Sequence, residues 1–319
     1  MVELSHIRDA RERIAPFIFH TPVIRMENLD GMLGCQVYIK PECLQRTNSF
    51  KVRGALNRML KAGAEKLKDG VVAASSGNHG KGVAFTARLM GIKATIVVPE
   101  ATPQVKVDGI LKLGASVVKC KAAERHEVAG RLSEELGLTI IHPYDDYDIM
   151  AGQGTIGLEV MESIPGLSQI VVPVGGGGLI GGIATAVKSL DPAVMVIGAE
   201  PALMPRYTRS LSSGAPIQVD ERPTIADALR TLKPGERNFP IVQKYVDEVI
   251  DVREDLFTAG MKALLLEGRL LAEPSSAAGI AAALQGDIKA GPSDKVCFVV
   301  SGGSVGLSQV RDILGQPPA

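Results

Sequence analysis

The sequence predicts an α/β protein whose sheets are mainly parallel and are covered by helices on both faces. Short β-branched runs alternate with longer segments in which apolar residues recur every three or four positions. That alternation is typical of parallel strands joined by crossover helices. The chain has 319 residues, enough for about two domains at ~150 residues each. We therefore expect two α/β domains. Glycine-rich loops follow three of the apolar runs, and these loops are expected to bind ligands.

Eight segments are predicted strands because they are short, apolar and rich in Val and Ile. They are 37–40, 70–74, 94–99, 116–120, 138–141, 170–174, 194–200 and 295–301. Seven longer segments have helical periodicity. They are 51–62, 79–90, 102–113, 126–136, 149–163, 179–190 and 254–267. Ligands bind at the carboxyl ends of parallel strands, so the loops that leave these strands are the candidate binding segments.

The composition argues against nucleic-acid and membrane-surface partners. Lys and Arg number 35, as do Asp and Glu, so the formal net charge is zero and no large electrostatic footprint is expected. Aromatic residues make up 4% and Trp is absent, which disfavours base stacking. The four cysteines form no CxxC pair, which predicts reduced structural thiols. With no signal peptide and no apolar run of ~18–20 residues, we expect a soluble cytoplasmic protein.

In the segment VVPVGGGGLIGG at 171–182, an apolar run meets four glycines and a predicted helix follows. Gly176, Gly178 and Gly181 match a GxGxxG pattern, and Glu200 lies about 20 residues further on, as in a dinucleotide-binding fingerprint. The four glycines are equally compatible with a nest of backbone N–H groups around one phosphate. The loop alone does not decide between these interpretations.

Lys51 is the candidate reactive residue. It lies in QRTNSFKVRGA at 45–55, at the start of a helical pattern, where a cation opposes the helix macrodipole. A lysine desolvated near positive helix ends has a lowered pKa, which a Schiff-base lysine needs. The alternative is a solvated first-turn lysine. Two further loops, SSGNHG at 75–80 and SGGS at 301–304, are each compatible with a simple turn when taken alone.

Six segments occur in one order along the chain: SFKVRGA, SSGNHG, HPYDD, AGQGTIGLE, VVPVGGGGLIGG and SGGS. Together they resemble the pyridoxal-phosphate (PLP) enzymes of the tryptophan-synthase-β fold type, fold type II. Within that type they resemble the serine/threonine dehydratases (ammonia-lyases) and serine racemases, over nearly the whole chain. The resemblance implies a PLP cofactor, a homodimer and two domains. The large PLP-binding domain would span 1–62 and 147–319, and the small mobile domain 63–146.

The resemblance also implies roles for individual residues. Lys51 would be catalytic and would hold the cofactor as a Schiff base, and Ser76 would be the second catalytic residue, on the opposite face of the substrate. The other cofactor-binding residues would be Phe50 on a ring face, Asn78 at the phenolic oxygen, Ser301 at the pyridine nitrogen, and Gly175, Gly176, Gly177, Gly178 and Leu179 around the phosphate. The substrate-binding residues would be Ser75, Ser76, Gly77 and His79.

The implied reaction is loss of the β-hydroxyl from L-threonine or L-serine, giving 2-oxobutanoate or pyruvate plus ammonia. A neutral Ser301 favours elimination over transamination, since it does not enforce protonation of the ring nitrogen. Serine racemases also carry a serine at the position of Ser76. Serine racemisation with side dehydratase activity, and elimination from D-serine or a hydroxyaspartate, therefore remain alternatives. A nicotinamide oxidoreductase and a non-catalytic amino-acid sensor are hypotheses from other classes.

Other positions depart from the family pattern. Asn48 and Ala228 stand where relatives usually carry glycine. Some relatives bind a divalent cation with a glutamate and an aspartate six residues later. Glu200 matches the first of these, but Arg206 stands at the second and cannot ligate a cation. We therefore expect that divalent metal site to be absent or remodelled, with a monovalent cation as the remaining alternative, and no separate regulatory domain after SGGS.

Overall fold

The computed structural model describes residues 1–75, 77–102 and 104–315. Within these residues, ten strands form two sheets. The strands are β1 (Ile24–Arg25), β2 (Gln36–Pro41), β3 (Val71–Ala74), β4 (Ala94–Pro99), β5 (Ser116–Cys120), β6 (Thr139–Ile140), β7 (Gln169–Pro173), β8 (Met195–Pro201), β9 (Glu248–Val252) and β10 (Lys295–Val300).

Thirteen α-helices lie in the same described ranges. They are α1 (Leu4–Ile14), α2 (Asp30–Leu33), α3 (Lys51–Ala62), α4 (Asn78–Met90), α5 (Gln104–Leu111), α6 (Arg125–Leu136), α7 (Tyr147–Ser163), α8 (Gly178–Leu190), α9 (Arg206–Ser213), α10 (Phe239–Tyr245), α11 (Glu254–Leu266), α12 (Ala278–Leu284) and α13 (Leu307–Leu314). Among the described residues, no helix combines the length and the apolar character that crossing a bilayer requires.

The two sheets have the strand orders β1-β2-β10-β7-β8-β9 and β5-β4-β3-β6. All neighbouring strands are parallel except β1 and β2. Strands β7 and β3 are buried along their whole length, which explains their uninterrupted apolar sequences. The predicted α/β class with mainly parallel sheets is confirmed. The smaller sheet lies inside the segment predicted as the small domain, while the domain bounds and the mobility stay predictions.

The eight predicted strands and seven predicted helices are present with small shifts at their ends. Strands β1 and β9 are additions to the prediction. Strand β9 lies at the edge of the larger sheet and has the sequence EVIDV, in which Glu248 and Asp251 interrupt the apolar pattern. Most of the additional helices have eight residues or fewer, too few for helical periodicity to stand out.

Helix α7 sets the spacing between two segments of the candidate site, since it packs against both α3 and α8. A Cβ on Gly152 of α7 would lie 2.4 Å from the carbonyl oxygen of Arg53 in α3. A Cβ on Gly182 of α8 would lie 2.2 Å from the carbonyl oxygen of Met150 in α7. Only glycine permits these approaches. The AGQGTIGLE segment therefore brings the helix that begins at Lys51 close to the helix that follows the four glycines.

Candidate active site

The lysine segment and the SGGS loop are joined by backbone hydrogen bonds. The N–H of Phe50 donates to the carbonyl oxygen of Ser301 at 3.0 Å, and the N–H of Gly303 donates to the carbonyl oxygen of Asn48 at 2.8 Å. Asn48 has a φ of +59°, a left-handed conformation that asparagine tolerates and glycine adopts freely. The departure from glycine at this position therefore keeps the backbone geometry. These bonds place Lys51 beside the loop that carries Ser301.

The side chain of Lys51 points into the site from the first residue of α3. Its Nζ donates to the carbonyl oxygen of Pro143 at 2.8 Å and lies 5.1 Å from the centroid of the Phe50 ring. Burial lowers the pKa of Lys51 to about 8, although Glu273 acts in the opposite direction. A larger fraction of this amine is therefore unprotonated near neutral pH than at an exposed lysine, as a nucleophile or base requires.

The four glycines connect β7 to α8, with Gly177 at the N-cap at a φ of +97°. The carbonyl oxygen of Gly176 accepts from the Tyr207 hydroxyl at 3.0 Å and from the Asn238 amide at 2.7 Å. A Cβ on Gly176 would lie 2.4 Å from the Tyr144 ring, so no larger residue fits there. The first N–H groups of α8 have no partner within the helix. The loop and the helix end therefore form a cradle of donors that suits a phosphate.

Asn78 is the first residue of α4 and is bonded to Glu273, a residue absent from the sequence-based prediction. Its Nδ2 donates to Oε1 of Glu273 at 2.7 Å, while Oε2 of Glu273 accepts from the N–H of Ser304 at 3.1 Å. The amide of Asn78 carries a second N–H. Asn78 is therefore able to donate to a phenolic oxygen while Glu273 holds it in place.

Burial and the nearby charge of Asp227 raise the pKa of Glu273 to about 7. A carboxyl with a raised folded-state pKa favours the folded state at low pH, and this contribution is lost as pH rises from about 4.5 to 7. The loss amounts to about 3 kcal/mol at 1.36 kcal/mol per pKa unit. We expect Glu273→Gln to remove this decline. Urea unfolding of cofactor-free protein at several pH values measures it.

The exposed Glu267 on the same segment of sequence provides the control for that titration. Glu267→Gln should keep the wild-type dependence of the unfolding free energy on pH. Identical pH profiles for Glu273→Gln and wild type would contradict the raised pKa of Glu273.

Ser301 lies at the carboxyl end of β10, where Ser276 holds it. The Oγ atoms of the two serines are 3.0 Å apart, and Ser276 also donates to the carbonyl oxygen of Gly302 at 2.7 Å. The Ser301 hydroxyl is neutral and fixed in position, as the predicted role at a ring nitrogen requires. Ser276 was missed at the sequence level, because its role depends on the contact with Ser301, 25 residues further along the chain.

The predicted substrate-binding residues lie at the end of β3 and the start of α4. His79 is buried, and its Nε2 donates to the carbonyl oxygen of Ile141 at 2.8 Å. Burial lowers the pKa of His79 to about 3, so the ring is neutral. His79 and Gly77 therefore offer backbone N–H groups at a helix N-terminus rather than a charged side chain. Ser75 is partly buried at the end of β3, and Ser76 lies outside the described residues.

The two positions that were compared with a divalent-metal pair carry a carboxylate and a cation, Glu200 and Arg206. Nη2 of Arg206 lies 3.7 Å from Oε2 of Glu200, and both side chains are fully buried. A positive group therefore already faces the carboxylate, and these residues do not fit a divalent cation. The described part of the chain contains no group of three or more His, Cys, Asp or Glu side chains arranged to hold a metal ion.

These features together define a site for a cofactor that carries both an aldehyde and a phosphate: a lysine with a lowered pKa, a cradle of backbone N–H groups, an amide donor and a neutral hydroxyl. The family model described as "Pyridoxal-phosphate dependent enzyme" matches residues 14–302. The chain belongs to this family of PLP-dependent enzymes. The family cofactor, PLP, carries a single phosphate, and its binding by the four glycines stays a prediction.

Relatives of the chain include threonine ammonia-lyases and serine racemases. The chain is 40% identical to the L-threonine ammonia-lyase of Thermotoga maritima, over 99% of this chain and 79% of that protein. It is 41% identical to the serine racemase of Dictyostelium discoideum, over 98% of each chain. The solved structure of maize serine racemase superposes with a TM-score of 0.93 at 36% identity, covering 98% of this chain and 97% of that one. The resemblance to fold-type II dehydratases and racemases is confirmed.

Proposed function

We propose that the protein catalyses β-elimination from L-threonine or L-serine, releasing 2-oxobutanoate or pyruvate together with ammonia. The observation that carries this proposal is the position of Lys51, whose amine has a pKa of about 8 beside the neutral Ser301 loop. An amine that is partly unprotonated near neutral pH is suited to accept a proton from carbon. A neutral group at the ring nitrogen does not stabilise a long-lived carbanion, which favours loss of the β-substituent.

Each residue of the site has a role that follows from its position. When bound, PLP supplies the electron sink that acidifies the Cα–H of the amino acid. We assign Lys51 to the Schiff-base link and to the proton transfer at Nζ, and the N–H groups from Gly175 to Leu179 to the phosphate. Asn78 donates to the phenolic oxygen, and Phe50 covers one ring face. The N–H groups at the start of α4 bind the substrate carboxylate.

Release of 2-oxo acid from purified protein tests the proposal. The panel contains L-threonine, L-serine, D-serine and 3-hydroxyaspartate, each with Mg²⁺ and with a chelator. We expect 2-oxo acid from L-threonine or L-serine in both conditions. Absence of product from both L-amino acids would overturn the proposal, and product from 3-hydroxyaspartate alone would reassign the substrate.

Serine racemisation is the second candidate, because a serine racemase matches the chain as closely, at 41% identity over 98% of its length, as does a threonine ammonia-lyase at 40% over 99%. Racemisation needs an acid on the face opposite Lys51, and we assign that role to Ser76. Chiral chromatography of L-serine incubations detects D-serine. If Ser76→Ala abolishes D-serine formation but not pyruvate formation, both activities belong to this site.

We further propose a cytoplasmic homodimer with a small amino acid as substrate and without nucleic-acid or membrane partners. The apolar side chains of Phe19 and Leu44 are each 49% exposed. They lie on adjoining segments, because the Gln45 side chain bonds to both backbone groups of Phe19. The Arg46 guanidinium lies 4.4 Å from the centroid of the Phe19 ring, and we assign these side chains to the subunit contact of the proposed homodimer. Light scattering after size exclusion should give twice the chain mass of 33.6 kDa.

A further inference from the structure

The guanidinium group of Arg206 is buried directly behind the four glycines. Its Nε donates to the carbonyl oxygen of Gly175 at 3.0 Å, its Nη1 donates to that of Met204 at 2.8 Å, and its Nη2 donates to that of Val174. Glu200 lies 3.7 Å from Nη2 and accepts from the backbone N–H groups that begin α9. A fully buried cation with three carbonyl acceptors and one carboxylate is a built feature of the fold.

The bonds to the loop carbonyls fix the direction of the loop N–H groups. In a planar trans peptide, the N–H of a residue points away from the carbonyl of the residue before it. Arg206 holds the carbonyls of Val174 and Gly175, and Tyr207 and Asn238 hold that of Gly176. The N–H groups of the following residues, from 175 to 177, are therefore turned to the opposite side. That side is where the proposed function places the phosphate of the cofactor.

The same contacts exclude a divalent cation from this position. Mg²⁺ and Ca²⁺ require several oxygen ligands at short distance. The carbonyls here are already bonded to Arg206, and the carboxylate of Glu200 accepts two backbone N–H groups and faces the guanidinium. The nearby carboxylate of Asp251 accepts from the Thr208 hydroxyl, which also donates to Glu200. A second positive charge at this place would be repelled by the first.

We propose that Arg206 is a positioning residue that acts as a permanent internal cation. By bonding to the carbonyl oxygens of Val174 and Gly175, it orients the N–H groups of the phosphate-binding loop. Cofactor binding therefore needs no divalent metal. This inference rests on the proposed function, since it assumes that the loop binds the PLP phosphate. Arg206 does not touch the cofactor. Its effect reaches the phosphate through the orientation of the peptide groups.

The test compares PLP with pyridoxal, which lacks the phosphate. Holoenzyme is resolved with hydroxylamine and titrated with each compound, for wild type, Arg206→Met and Arg209→Met. Arg209 is an exposed arginine on the same helix and serves as the matched control. Loss of charge-assisted bonds that orient the loop should raise the Kd for PLP about 10- to 100-fold in Arg206→Met. The Kd for pyridoxal should stay within about twofold of wild type, because the loop contributes only to phosphate binding.

A second variant distinguishes weaker phosphate binding from a general loss of stability. Arg206→Met leaves the carboxylate of Glu200 buried and unpaired, so the double variant Arg206→Met/Glu200→Gln removes that charge. It should recover the thermal stability lost in the single variant while PLP binding stays weakened relative to pyridoxal. Each titration is repeated with Mg²⁺ and with EDTA, and wild-type affinity should be the same in both.

Several results would overturn the inference. An unchanged Kd for PLP in Arg206→Met would do so, as would equal weakening of PLP and pyridoxal binding in the double variant. A wild-type Kd that responds to Mg²⁺ or EDTA would also contradict it. If wild-type protein binds neither compound, the proposed function fails as a whole. If wild type binds PLP and the Arg206→Met variant binds it equally well, only the inference about Arg206 fails.

Discussion

Replacing Lys51 with alanine is expected to lower kcat for elimination by about 10²- to 10⁴-fold from the loss of proton transfer alone. Nζ of Lys51 lies 5.1 Å from the centroid of the Phe50 ring, and the backbone N–H of Phe50 donates to the carbonyl oxygen of Ser301. Removal of that amine also removes the proposed Schiff-base link, so the variant should lose cofactor during gel filtration. The release of 2-oxo acid from L-threonine or L-serine measures the activity.

The covalent role of Lys51 has a readout that does not depend on turnover. Borohydride reduction followed by peptide mass spectrometry should locate the cofactor on the peptide that contains Lys51. Lys61 lies on the same helix, with its side chain 49% exposed and paired with Asp148, and provides the matched control. Lys61→Ala should keep the label and nearly full activity. A label on another lysine, or an active Lys51→Ala variant, would contradict the assignment.

The fold could be predicted from the sequence where burial controls the pattern. Strands of parallel sheets are covered on both faces, so β7 and β10 are continuous apolar runs that stand out in the sequence. Strand β9 does not stand out because it lies at the sheet edge, where two of its five residues are acidic and only Ile250 and Val252 are buried. The helix α12, with the sequence AGIAAAL, consists of small residues without a polar face, since it is buried throughout its first five positions. Prediction from sequence periodicity therefore fails for elements whose residue types are determined by their tertiary contacts.

The parts of the candidate site that lie within one distinctive sequence segment could be predicted. The parts that depend on contacts between side chains far apart in the sequence could not. The four glycines and Lys51 are visible in the sequence. Glu273 and Ser276 are not, because their significance comes from contacts with Asn78 and Ser301 far away along the chain. Arg206 could be predicted only as a residue that cannot ligate a metal. Its bonds to carbonyls of the glycine loop depend on how α9 packs against the end of β7.

The segment SFKVRGA contains a second residue with a large expected effect, Arg53. Its guanidinium forms two bonds of 2.8 Å to Glu42 and bonds of 2.6 and 2.9 Å to Glu159. Lys40 donates to the same carboxylate of Glu159 at 2.5 Å. The four side chains are at most 3% exposed and their charges balance. This cluster ties α3, which begins at Lys51, to α7 and to the end of β2.

Arg53→Leu is expected to lower the free energy of unfolding by about 3–5 kcal/mol, because it leaves two buried carboxylates with one cation. Urea unfolding at neutral pH measures the change. The attraction of Arg53 and Lys40 lowers the pKa of Glu159 against the effect of burial. A carboxyl with a lowered folded-state pKa stabilises the protein above its unfolded-state pKa, and this contribution is lost as pH falls through the folded-state pKa. Wild-type protein should therefore lose this stabilisation in acid.

Arg58 is the matched control for Arg53, since it lies on the same helix but is 25% exposed in its ion pair with Asp146. Arg58→Leu should change the unfolding free energy by about 1 kcal/mol or less, as partly solvated ion pairs do. Replacing Arg53, Glu42, Glu159 and Lys40 together with apolar residues of similar volume should recover most of the loss, because no charge is then left unpaired. If Arg53→Leu and Arg58→Leu cost the same, unpaired buried charge is not the cause. The position of α3, and with it that of Lys51, would then depend on the glycine contacts of α7 rather than on this cluster.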